Sequence, residues 1–296
     1  MKVSTATAMS SSTSVPLMEP RRPRYQSELR ELVDTYLART PWAKEACFLE
    51  EDIRKLHPLM LGDALRELIA GRSKGEIGVR SALLIVYGRK MKEMAALYPL
   101  AFSVENALRA RVAEATSGRF GYDTWWRPIR FAMKNGQDPQ TVKEIMKVPI
   151  TSKLARRVGD IIAFVDGERL TRDTTEIMTC GSAFLAGSTF GQLRYLVIDS
   201  WSVFDHLFDG KRNGLRAMSK EDFASLSKAV NDTRNDLYHH NPVAYRQRFI
   251  EACERIADHL DLHLGSIDAF LTNARYTRPE FDVTAQDRHC ADYPTG

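Results

Sequence analysis

The chain has 296 residues, 44% apolar, 27% charged and 9% aromatic, enough to bury a substantial core and unlike a fibrous or low-complexity composition. Its 42 basic and 38 acidic residues leave a net charge of +4, too small to demand a polyanionic partner, although a local basic face is compatible with it. The longest clean apolar run, Ala82 to Tyr87, is far short of the roughly 20 residues of a bilayer-spanning helix. Cys47, Cys180, Cys253 and Cys290 are widely spaced with no C-x-x-C pair, which argues against a disulfide framework. The expectation is a cytoplasmic chain with no membrane segment.

Residues 1–24, rich in Ser, Thr and Pro, read as a disordered leader. From Tyr25 to Arg39, Leu29, Leu32, Val33, Tyr36 and Leu37 recur at spacings of three and four, the mark of an amphipathic helix. Leu49, Ile53 and Leu56 predict a second helix, and Leu61, Leu65, Leu68 and Ile69 a third. Val79 to Leu97 predicts a longer one, and Val104, Leu108 and Val112 another after Pro99. The stretch Ser117 to Asp138 loses the period and gathers Gly, Pro and aromatics, so it reads as an ordered surface loop.

Helical spacing resumes with Leu154, Val158, Ile161, Ile162 and Val165, then over Phe190 to Phe208 before Gly210. Ser219 followed by Asp222 resembles a capping box, opening a helix through Phe223, Leu226, Val230 and Leu237 that Pro242 stops. Phe249, Cys253, Ile256, Leu260 and Leu264 mark the last helix. With no strand alternation, the expectation is an all-α protein with one domain over 25–275 and a flexible tail over 276–296.

The densest polar cluster is Asn231-Asp232-Thr233-Arg234-Asn235-Asp236-Leu237-Tyr238-His239-His240-Asn241, at the C-terminal end of a predicted helix. At about 100° per residue, Asn235 and His239 share a face, whereas Arg234 and His239 lie about 140° apart. Three routes bring the latter two together: the long arginine curls round, the terminal turn unwinds, or two copies of the helix meet. An ordinary reading also exists, in which these side chains merely suit the negative end of the helix dipole.

Arg234-Asn235-x-x-x-His239 resembles the R-N-x-x-x-H signature of the HEPN superfamily, and in particular of its Abi-like (abortive infection) proteins. Glu105-Asn106-x-x-Arg109 resembles that family's E-N-x-x-R helix, followed by the Gly121 and Trp125-Trp126 region, and Thr189-Phe190-Gly191-x-Leu193 its T-F-G-x-L helix start. These pieces span roughly Ala82 to Leu271 and leave the N-terminal helices outside. The resemblance implies a HEPN-like helical bundle acting as a homodimeric ribonuclease without metal or cofactor. It also implies a bacterial abortive-infection or toxin-antitoxin setting, and a possible antitoxin partner.

That implication is chemically coherent. RNA carries its own nucleophile, the 2′-hydroxyl, so an enzyme must remove one proton, neutralise the crowded phosphorane and protonate the leaving 5′-oxygen. His239 is the candidate base or acid, Arg234 the phosphate clamp, and Asn235 a supporting group. Glu105 and Arg109 are spaced i, i+4, either as a plain surface pair or as the support that orders the motif helix.

Arg109 to Lys134 carries six basic residues against two acidic, interleaved with aromatics, so Arg119, Trp125, Arg127 and Arg130 are candidate RNA contacts. The competing reading makes the tryptophans core plugs. His259 and His263 have a metal-like spacing but no evident third ligand. A non-catalytic helical module that binds RNA or protein is the alternative to the enzyme.

Overall fold

The computed structural model describes residues 22–38, 53–71, 79–168, 179–211 and 214–262. The chain divides into two compact units, residues 1–83 and 84–296, a division that falls inside the stretch read from sequence as one domain.

In the first unit, helices α1 (Arg22–Leu37) and α2 (Pro58–Ala70) pack together. Because α1 begins at Arg22, the last three residues of the expected leader are its first turn. Tyr36 is buried, and its hydroxyl donates to the Val79 carbonyl at 2.8 Å. Helix α2 opens on Pro58, where a missing N–H costs nothing, and buries Met60, Leu61, Ala64, Leu65 and Leu68 as a stripe. Cys47, Leu49 and the expected tail over 276–296 lie outside the described residues.

Helix α3 (Val79–Ala95) is followed by α4 (Tyr98–Phe120), the axis of the second unit. Pro99 sits in the first turn of α4, and Leu100, Val104, Leu108, Val112 and Phe120 are buried along it. The expected loop from Ser117 is therefore corrected: α4 continues to Phe120, and α5 (Arg127–Lys134) follows. Within the helix the Thr116 hydroxyl donates back to the Val112 carbonyl at 2.8 Å, and Pro128 falls in the first turn of α5, where proline is tolerated.

One small antiparallel hairpin departs from the expected absence of strands, with β1 (Glu144–Ile145) paired to β2 (Val148–Pro149). Helices α6 (Ser152–Glu168), α7 (Gly181–Ala186), α8 (Phe190–Asp199), α9 (Trp201–Phe204), α10 (Lys220–Tyr238) and α11 (Arg246–His259) complete the described chain. It is all-α apart from that hairpin.

The single helix expected over 190–208 breaks at Ser200 (φ −121°, ψ 37°) and tightens into a 3-10 turn over Asp205–Phe208. The break turns Trp201 onto Phe208 at 5.3 Å and sets Phe208 4.6 Å from Phe223 of α10. Helix α4 packs against α7, α8, α10 and α11, so the motif-bearing helices share its surface. Among the described residues no helix is long and apolar enough to cross a membrane.

Candidate functional site

Helix α10 is fixed at both ends. At its start the Ser219 hydroxyl accepts the Asp222 N–H at 3.0 Å and the Asp222 carboxylate accepts the Ser219 N–H at 3.4 Å. The hydrogen bond from the Ser219 side chain, then that from its backbone, holds the Asp222 carboxyl below its ordinary value. At its end the His240 N–H donates to the Leu237 carbonyl at 3.0 Å and the Asn241 N–H to the Asp236 carbonyl at 2.7 Å. That pair of bonds is a Schellman cap, with His240 in the left-handed region (φ 56°) that a glycine commonly fills.

Arg234 projects from α10 toward α4. Its Nε donates to Glu105 Oε2 at 2.7 Å and its Nη2 to Oε1 at 3.4 Å. From the other side Arg109 Nη2 donates to Glu105 Oε1 at 2.6 Å and to the Ser188 carbonyl at 2.7 Å. Glu105 is only 3% exposed, so its charge is costly unless paired, and here two guanidinium groups pair it. Ser188 directly precedes Thr189, whose hydroxyl accepts the Gln192 N–H at 3.2 Å in the capping box that opens α8. Two of the sequence motifs thus meet at one buried carboxylate, and Arg109 ties them to the residue that precedes the third.

Below Arg234 lies Tyr238, with the guanidinium carbon 4.4 Å from the ring centre. Tyr238 meets Tyr98 edge-on at 5.8 Å, and the Tyr98 hydroxyl donates to the Leu237 carbonyl. Burial, with the Tyr238 phenol as a lesser cause, raises the Tyr98 pKa. A third bond runs from Arg234 Nη1 to Asn235 Oδ1 at 3.5 Å. Of the five N–H donors of a guanidinium two have no acceptor among the described residues, on a side chain 21% exposed.

His239 occupies the C-cap of α10 (φ −93°, ψ 7°), and its N–H still donates to the Asn235 carbonyl at 3.0 Å. The regular turn therefore persists through His239 and breaks only at His240, which excludes unwinding as the route to Arg234. Arg234 is drawn to Glu105 instead of curling toward the imidazole. The His239 side chain is exposed, with no hydrogen bond or ion pair among the described residues.

The expected RNA contacts separate. Trp125 is corrected: it is fully buried, stacked on Phe120 at 5.7 Å and edge-on to Phe184, so it has no face open to a base. Arg130 holds α5 to α6, donating to Asp166 from Nη2 at 2.8 Å and from Nε at 3.3 Å. Arg119 is exposed and lines a cleft with Arg111, Glu114, Ser202 and His206. Arg127 is exposed beside a different, apolar groove.

Among the described residues no group of three or more His, Cys, Asp or Glu is placed to hold a metal ion. His259 has Nδ1 2.8 Å from the Arg255 carbonyl and Nε2 3.1 Å from the Arg216 carbonyl, turning both ring nitrogens toward main-chain acceptors. His263 lies outside the described residues.

Sequence reasoning missed three parts of this junction. The Arg234–Tyr238 contact carried an i, i+4 signal, whereas Tyr98 and the Ser188 carbonyl carried none. It also missed a second buried carboxylate, Glu93, which accepts from Arg89 at 3.1 Å and from Arg246 of α11. No family model, curated protein or solved structure matches the chain.

Proposed function

We propose that the chain is a metal-independent endoribonuclease of the HEPN type, acting as a homodimer in a bacterial abortive-infection or toxin-antitoxin defence system. The reading is carried by the Arg234–Glu105–Arg109–Ser188 junction, in which two separated motifs meet at one buried carboxylate and Arg109 links them to the start of the third. The defence setting and an antitoxin partner rest on the motif resemblance alone, and the cytoplasmic location on the cysteine pattern and the lack of a long apolar run.

Each residue has a chemical task. Glu105 orients the Arg234 guanidinium, and Asn235 steadies its outer edge. The two remaining N–H groups of Arg234 face the non-bridging phosphate oxygens. One His239 takes the 2′-hydroxyl proton while the 2′-oxygen attacks phosphorus. The P–O5′ bond breaks, and the 5′-oxygen takes a proton from the other His239, leaving a 2′,3′-cyclic phosphate and a 5′-hydroxyl. Within one chain neither curling nor unwinding joins the two groups, which favours a site shared by two copies.

A second reading, a non-catalytic helical module of the same fold, draws on the same ion pair: an arginine held at 2.7 Å by a buried carboxylate suits a structural post. Incubation with RNA in EDTA separates the two. The enzyme reading expects wild-type protein to generate 2′,3′-cyclic phosphate ends and His239→Ala to generate none. No cleavage by either supports the module, and equal cleavage by both rejects the catalytic assignment of His239.

A further inference from the structure

Helix α5 carries Arg127, Phe131 and Lys134 at i, i+4 and i+7, one face of a helix, and all three are exposed. Phe131 is 69% exposed, and beside it stand Tyr122 at 48% and Met146 at 59%. Met146 is held outward by the hairpin turn, where both Met146 (φ 49°) and Lys147 (φ 65°) take the left-handed conformation that such turns usually give to Asn or Gly.

These side chains line one groove of about 280 Å³, together with Thr124, Pro128 and the buried Trp125 and Ile145. Arg127 is the one charged residue of that lining, and Lys134 extends the same helical face. Asp123 and Glu144 are exposed nearby, so the attraction is local to the helix face rather than a broad basic field.

Folding does not account for this face, because aromatic area left in water forfeits about 25 cal/mol for each Å². The chemistry it offers is two aromatic rings and a thioether beside one guanidinium, with an ammonium a turn further on. That combination suits a planar, apolar-faced ring attached to an anion. A nucleobase stacks on aromatic side chains whatever its sequence, and its phosphates pair with arginine and lysine. A duplex hides those base faces, so the unpaired strand is the form that fits.

We infer that this groove is a base-stacking platform for single-stranded RNA, with Phe131 and Tyr122 stacking on unpaired bases and Arg127 and Lys134 holding the flanking phosphates. RNA as the ligand rests on the ribonuclease reading above; the platform adds strand state and the contacting residues. It replaces Trp125, which the sequence pattern suggested, with aromatic neighbours that solvent reaches.

The test is fluorescence anisotropy of a short labelled oligouridylate with the full chain carrying His239→Ala, so that binding is read without cleavage. Phe131→Ala and Tyr122→Ala should each weaken binding about tenfold, in line with ~1–3 kcal/mol per stacked base. Phe131→Trp should retain it, and Arg127→Ala should lower the salt dependence by about one counterion. A duplex of the same length should bind more weakly.

Circular dichroism should show both alanine variants folded, since these side chains are exposed. Unchanged oligouridylate binding by both alanine variants, or equal binding of duplex and single strand, overturns the platform. Unchanged RNA binding with lost self-association in Phe131→Ala also overturns it and assigns the groove to protein. His239-dependent cleavage by a chain whose binding ignores Phe131 and Tyr122 defeats the platform and leaves the ribonuclease standing. Oligouridylate binding that needs Phe131, in a chain whose wild type never cuts RNA, does the reverse.

Discussion

Glu105 and Arg234 stand 129 residues apart in sequence and meet at 2.7 Å, carboxylate Oε2 to guanidinium Nε, at the contact between α4 and α10. Arg109 closes the carboxylate from the other side at 2.6 Å. Removing Glu105 leaves the Arg234 and Arg109 guanidiniums, on side chains 21% and 19% exposed, without their carboxylate, at a cost of about 1–3 kcal/mol. Glu105→Ala should therefore lower the urea midpoint by that equivalent with an unchanged m-value. A loss below about 1 kcal/mol would reduce the pair to the solvated contact that i, i+4 spacing alone suggests.

Arg234 and His239 should separate in stability although they belong to one motif. His239 is exposed and makes no hydrogen bond or ion pair among the described residues, so His239→Ala should stay within about 0.5 kcal/mol of wild type. Arg234→Ala should be distinctly less stable, because Glu105 and Tyr238 both lose a partner. Thermal unfolding of the two variants side by side reads the difference. Activity lost in His239→Ala at unchanged stability then reports on chemistry.

The cap of α10 predicts a pH dependence with a definite sign. Hydrogen bonds from Ser219 depress the Asp222 pKa in the folded chain. The stabilisation is thus fully present above the unfolded carboxyl value, about 3.9, and is lost as pH falls through the lower folded value. The difference in urea midpoint between wild type and Asp222→Asn should be constant above about pH 5 and should narrow below about pH 4.

Gly159 sets steric fit against helix propensity. Alanine is favoured over glycine inside a helix by about 1 kcal/mol. A Cβ at Gly159 of α6, however, would lie 2.5 Å from Pro139 Cγ and 2.9 Å from its Cβ, in the neighbouring 3-10 turn (Pro139–Thr141). A rigid proline ring cannot yield as a flexible side chain does, so Gly159→Ala should destabilise, by about 1–3 kcal/mol as overpacking commonly does. Stabilisation in a thermal melt would mean that the turn moves freely away from α6.

Much of the helix pattern was legible because apolar residues recurred on one face, and the Ser219 cap announced α10 through short-range chemistry. The sequence misread Ser117 to Asp138 because Gly121 and Pro128 punctuate helix ends there, while Phe120 and the two tryptophans serve the core. Trp126 stacks on Phe184 at 4.8 Å, a partner whose proximity no local spacing encodes. At the site, the residues Glu105, Arg109 and Arg234 were legible from motif resemblance, but their convergence depends on α4 and α10 packing together. The break at Ser200 was hidden because the aromatic cluster beside it, Trp201 and Phe208 with Phe223, is drawn from two separated segments.

Mixing Arg234→Ala subunits with His239→Ala subunits, each verified as folded, tests most directly the claim that the two groups act where two copies of the chain meet. Neither variant alone should release 2′,3′-cyclic phosphate ends from RNA in EDTA, and slower cleavage should reappear once subunits exchange, because the mixed dimer regains one Arg234–His239 pair across the interface but lacks the second His239 as acid. Silence after exchange demonstrated by native mass spectrometry, or full cleavage by either variant alone, would contradict a shared Arg234–His239 site.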